Sequence, residues 1–159
     1  MAKARAIPNL QGTDAFREAA AKAVAVRADE LWEHADNVLD VGDIERVHDM
    51  RVATRRLRAV LEIFAPCFPK QAHKAAIQDA KALADALGER RDPDVQIEHL
   101  AAYAEAAPDQ DRPGVDVLVS RLRSRQTAAN ADLAAALADI ERSDLRSRLR
   151  ALVEEARAA

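Results

Sequence analysis

The side chains best placed to do chemistry lie between Val47 and Phe64: His48, Arg51, Arg55, Arg56 and Arg58. An arginine carries a permanent charge and five N–H donors in a fixed fork, which grips phosphate or carboxylate at two points at once. Steps of four and then three residues, from Arg51 to Arg55 to Arg58, make their guanidiniums neighbours on a helix. At the helical repeat, His48, Arg51, Arg55 and Arg58 fall within about 80° of one another, while Met50, Ala53, Leu57, Val60, Leu61 and Phe64 share an arc of about 100° on the other side. Like charges at these spacings repel by about 0.2–0.5 kcal/mol per pair. Arg56 adds another charge beside the column, and only Asp49 and Glu62 are at hand to offset it. A solvated helix face is the plainer reading. The clean separation of a cationic stripe from an apolar one favours a site for a polyanion.

A second cationic set follows. On a helix starting near Pro69, Lys70, Lys74 and Lys81 align within about 40°, with His73 close by. The prolines Pro66 and Pro69 imply a short connection, so this helix returns antiparallel and sets its lysines beside the arginine column. Arg91 precedes Asp92-Pro93, a sequence suited to capping a new helix. Arg121 and Arg125 share a face further on, whereas Arg123 points elsewhere. Asp92 and Asp94 lie close together, but no third ligand sits at a telling spacing, which argues against a metal site.

The elements that must hold these groups are helices. The 159 residues suffice for one domain with a real core, and the chain is rich in Ala, Leu and Arg with only four glycines. The net charge of −3 argues against a general nucleic-acid coat, yet Arg46 to Lys74 holds seven Lys/Arg against two Asp/Glu, a local basic patch on an acidic chain. Cys67, the single cysteine, carries no metal-ligand spacing and reads as a small hydrophobe in a chain suited to a reducing compartment. No secretory pattern opens the sequence and no run is long enough to span a membrane, so a cytoplasmic setting is expected.

The expected architecture is all-α: an antiparallel bundle of four main helices with one or two accessory helices. A flexible segment over 1–12 precedes one domain over 13–156. The first helix starts at Thr13 or Asp14 and runs to about Leu39, with Phe16, Ala20, Val24, Leu31 and Val38 as an imperfect stripe. The second is capped by Asp43. The third, with Ala72, Ala76, Ala80, Leu83 and Leu87 inward, stops at Gly88. A fourth spans about Pro93 to Ala107. A fifth covers about Val115 to Ile140, with Val117, Leu118, Leu122, Leu133 and Leu137 as core. A last amphipathic segment from Ser143 or Asp144 to about Ala156 buries Leu145, Leu149 and Leu152 and leaves its arginines in solvent.

The run Val47-His48-Asp49-Met50-Arg51-Val52-Ala53-Thr54-Arg55-Arg56-Leu57-Arg58 resembles the hallmark of CHAD domains, the conserved-histidine α-helical domains. Lys81 followed by Leu87-Gly88-Glu89-Arg90-Arg91-Asp92-Pro93-Asp94-Val95 is similar to their second signature. The resemblance covers roughly Thr13 to Leu152. It implies a helical bundle that binds inorganic polyphosphate in a basic channel, without catalysis and without a cofactor, in some cases on polyphosphate or storage granules. It assigns His48, Arg51, Arg55 and Arg58 to a first phosphate wall, with Lys81 and Arg91 from the second signature. Lys70, Lys74, Arg56, Arg121 and Arg125 join this set on charge and spacing. Family members usually carry two copies of the bundle. Here there is one His-x-x-Arg signature, so a homodimer restoring the two-repeat arrangement, its basic faces meeting across the axis, is expected, with a monomer bearing a shallow groove as the alternative.

Three rivals use the same residues. A nucleic-acid binder would want aromatic side chains among the arginines, and none is interleaved there. A metal-dependent phosphohydrolase would use Asp92, Asp94 and His48, but the basic helices lack the glutamates such sites draw on. A purely structural bundle would pair the arginines with acids of the first helix.

Overall fold

The computed structural model describes residues 3–158. It contains α1 (Phe16–Glu33), α2 (Ile44–Ile63), α3 (Lys70–Ala106), α4 (Arg112–Arg142) and α5 (Leu145–Ala158), with one 3-10 turn at Ala65–Cys67. Among the described residues there is no strand. Helix α1 packs on α2 and α5, and α3 packs on α2, α5 and α4, so α1, α2, α3 and α5 close a four-membered ring. The core inside it takes Ala20, Val24 and Leu31 from α1, and Met50, Leu57 and Leu61 from α2. Leu83 and Leu87 of α3 and Leu145, Leu149 and Leu152 of α5 complete it. Each such leucine contributes about 1.5–3 kcal/mol on burial.

The core reaches α3 only as far as Leu87 and α4 only from Leu133 onward. The second half of α3 and the first half of α4 therefore form a two-helix arm that extends beyond the bundle. A seam at alternating three- and four-residue steps joins them: Val115 is buried, and Val119, Leu122 and Gln126 are half-buried, before Leu133 enters the core. Val117 and Leu118, expected in the core, are 53% and 48% exposed. They sit off that seam, and among the described residues no third helix covers them.

Three expected boundaries are corrected. Gly88 does not end a helix and Asp92-Pro93 does not begin one: α3 runs unbroken through both. No glycine has positive φ, so Gly88 is an ordinary helical residue. Pro93 is buried within the helix, at the cost of one backbone hydrogen bond to Glu89. The first helix stops at Glu33, six residues early, and the chain turns at Asn37, whose φ of 57° suits asparagine better than most residues. Val38 is buried all the same, from the loop. Asp43 occupies the N-cap of α2 but makes no capping bond; its carboxylate accepts from Arg46 Nε at 3.0 Å instead.

The described part of the leader lies along α1. Lys22 Nζ donates to the Asn9 carbonyl at 2.8 Å and to Asp14 at 2.9 Å, and Arg27 donates to the Arg5 carbonyl at 2.9 Å. Arg5 bonds Glu30 through its amide and Glu33 through its guanidinium.

Candidate functional site

Two hydrogen bonds set how α2 and α3 lie together. His73 Nε2 meets the Leu61 carbonyl at 2.8 Å, and Arg91 Nη1 donates to the Ile44 carbonyl at 3.3 Å. The helices are thus antiparallel, and residues whose numbers sum to about 134 or 135 are level. Lys81 stands level with the stretch between Arg51 and Arg55, and Lys74 with Leu61. His73 also stacks on Phe68, with ring centroids 5.9 Å apart, which fixes the turn into α3.

The same contacts show which way the cations face. Arg56 lies 3.9 Å from Glu30, so its side of α2 turns toward α1. His48, Arg51, Arg55 and Arg58 are about 80–160° away around the helix, on the flank nearest α3. On α3, His73 and Arg91 point to α2, and Lys70, Lys74 and Lys81 sit about 60–100° outward from them. The arginine column and the lysine stripe therefore border one open flank of the molecule. Arg55, Lys70, Lys74 and Lys81 are exposed, while His48, Arg51 and Arg58 are half-buried at its base.

The partners differ sharply. The side chains of Arg51, Arg55, Lys70, Lys74 and Lys81 form no hydrogen bond or ion pair with another described residue. Arg58 is 3.6 Å from Glu62, and its Nε is buried without an acceptor. Arg91 is drawn inward: it stands 3.7 Å from both Glu45 and Glu98, and its Nε is also buried without an acceptor. It pins α3 to the start of α2 more than it faces solvent. Arg121 and Arg125 are exposed on the arm. Gln126 bonds Asp94 and Asn130 bonds Arg90, which puts Arg125 about level with Val95, some 16 Å along α3 from the level of Arg51. The structure does not bring these two to the flank.

One arginine that sequence reasoning passed over is the most buried of all. Arg90 is 0% exposed and pairs with Asp94; its Nε donates to Asn130 at 3.0 Å, and Gln126 Nε2 donates to Asp94 at 2.6 Å. Asn130 in turn donates to the Leu39 carbonyl at 3.0 Å, tying the arm's base to the turn before α2. Its signal was present: Leu83, Leu87, Arg90 and Asp94 continue the inward stripe at helical spacing. Glu30 is a second hub, 3% exposed. Burial pushes its carboxyl up, but the Arg5 amide and the Arg27 and Arg56 guanidiniums outweigh that and hold it below the usual range. Among the described residues, no three His, Cys, Asp or Glu converge as metal ligands. None of the described helices is long and apolar enough to cross a membrane.

One family description, "CHAD domain", matches residues 22–159, nearly the whole chain. Searches of curated proteins and of solved structures returned no match.

Proposed function

The chain belongs to the CHAD domain family, which is associated with polyphosphate binding, and from that premise we propose that its α2–α3 flank binds inorganic polyphosphate without transforming it. The observation that carries this reading is the lack of any acid at Arg51 and Arg55 among the described residues, while Arg56 one residue on is paired to Glu30. The fold supplies carboxylates where a guanidinium is structural; within the column Arg58 has Glu62 at 3.6 Å, while Arg51 and Arg55 meet none among the described residues. Polyphosphate carries about one charge per phosphate. Guanidinium forks repeated about 4.5–6 Å apart along a rigid helix meet such a chain repeatedly. Lys70, Lys74 and Lys81 line the other bank as point charges, and His48 adds a donor when protonated. Many modest contacts on one polymer sum to high avidity. Such binding would place the protein on polyphosphate deposits in the cytoplasm.

A second copy fits the arm. Tyr103, Val117 and Leu118 are exposed there. Beyond Asp94 the α3 side bears Glu98, which also neighbours Arg91, and Glu105, and the facing α4 stretch bears Arg112, Arg121, Arg123 and Arg125 with one acid, Asp116, among them. Two antiparallel arms would cover apolar surface and cross acids with bases in an isologous pair. Size-exclusion chromatography with light scattering, run with and without long-chain polyphosphate, tests both points. The expected result is a dimer mass that rises further with polyphosphate. A monomer that ignores polyphosphate would overturn both.

A further inference from the structure

A second site lies across the bundle from the basic flank, in the outer groove between α1 and α5. It encloses about 490 Å³, within the range of small-molecule sites. Its floor is apolar: Ala25 and Ala28 from α1, and Leu149 and Val153 from α5. One end is closed by Trp32, the only tryptophan in the chain. The guanidinium of Arg146 lies over the indole, 5.7 Å from the ring centroid. Arg146, Arg150 and Arg157 fall within about 40° on α5 and line one wall.

Three features there are unspent. Arg146 and Arg150 have no hydrogen bond or ion pair with a described residue, unlike Arg157, whose charge is met by Glu154 at 2.9 Å. The Trp32 Nε1 is buried and without an acceptor, a cost of about 1–3 kcal/mol for a buried donor. The floor is elongated, with the seven steps from Ala25 to Trp32 spanning about 10 Å. Asp29, the other acid on the lining, makes no ion pair with a described residue and acts on Arg5 only at longer range.

We propose that this groove binds a single-chain anionic amphiphile, its head group between Arg146, Arg150 and the Trp32 end and its acyl chain along Ala28, Ala25, Leu149 and Val153. A linear apolar chain matches the elongated apolar floor, and an anion matches two guanidiniums without a described ion-pair partner. A polyphosphate chain has no apolar part to fill the groove, so the two sites are chemically distinct.

Trp32 reports directly. Its fluorescence is followed as decanoate is added to the full-length protein below the micelle concentration, with decanol as the uncharged control. Decanoate should produce a saturable shift, with decanol at least tenfold weaker. Arg146→Gln with Arg150→Gln should weaken decanoate at least tenfold and leave polyphosphate binding unchanged. Asp29→Asn, which removes a like charge without touching the arginines, should tighten it two- to threefold. A response only at micelle formation, or equal affinities for decanoate and decanol, would overturn the proposal.

Discussion

Arg90 and Arg55 lie on neighbouring helices and have opposite surroundings. Arg90 is fully buried and enclosed by Asp94, Asn130 and the bundle's edge, while Arg55 is exposed and meets no acid among the described residues. A guanidinium inside a protein must be paired, because an uncompensated buried charge is far costlier than an exposed one. Where this fold uses arginine as a strut, at Arg90, Arg56 and Arg91, it brings an acid to within reach. At Arg51 and Arg55, which meet no acid among the described residues, it accepts mutual repulsion. The comparison teaches that the absence of a partner, more than the presence of charge, marks the candidate binding face.

Breaking the strut should give the largest effect. Asp94→Ala leaves Arg90 buried without its counter-charge and should lower stability by about 3–5 kcal/mol in denaturant or thermal unfolding. Asp94→Asn, which keeps an acceptor, should cost less. If Asp94→Ala is as harmless as a surface change, the arm's base is not held by this pair.

Acid should reach the Glu30 hub next. Its folded carboxyl titrates below the unfolded one, so its contribution to stability is present above the unfolded carboxylate range and is lost as pH falls through the lower folded value. Asp14 behaves the same way, held down by the Gln11 amide and by Lys22. Melting temperature followed from pH 6 to pH 2 should fall, and Glu30→Gln should flatten that fall. An unchanged slope in the variant would remove Glu30 from the account.

Gly88 sharpens the contrast at about 1 kcal/mol. It is helical, half-buried, and has open space where a Cβ would go. Gly88→Ala should therefore raise stability by about 0.5–1 kcal/mol in urea unfolding. It lies on the lysine line of α3, near the level of His48. Stability gained together with polyphosphate affinity lost would mean that the ligand approaches the backbone there.

The bundle and its inward faces were legible because a 3.6-residue period survives in Met50, Ala53, Leu57 and Leu61, and again in Ala76, Ala80, Leu83 and Leu87. The break expected at Gly88 and Pro93 was not, since both signals are local and the packing of Leu87, Arg90 and Asp94 overrides them. The arm was invisible for a related reason. Val117 and Leu118 look like core residues until it is known that α4 has no third helix to face there. Of the cations, spacing alone grouped Arg51, Arg55 and Arg58 and aligned Lys70, Lys74 and Lys81. It could not separate Arg56, turned toward α1, or place Arg121 and Arg125 on the distant arm, because both depend on which helix lies alongside.

The central claim is tested most directly by titrating long-chain polyphosphate into the wild-type protein and into Arg51→Ala with Arg55→Ala, at several salt concentrations, with melting temperatures measured in parallel. The account predicts at least a tenfold loss of affinity, a shallower dependence on salt because fewer counterions are released, and stability within about 0.5 kcal/mol of wild type or slightly above it as repulsion is relieved. Unchanged affinity in a folded variant, or a large drop in melting temperature, would contradict it.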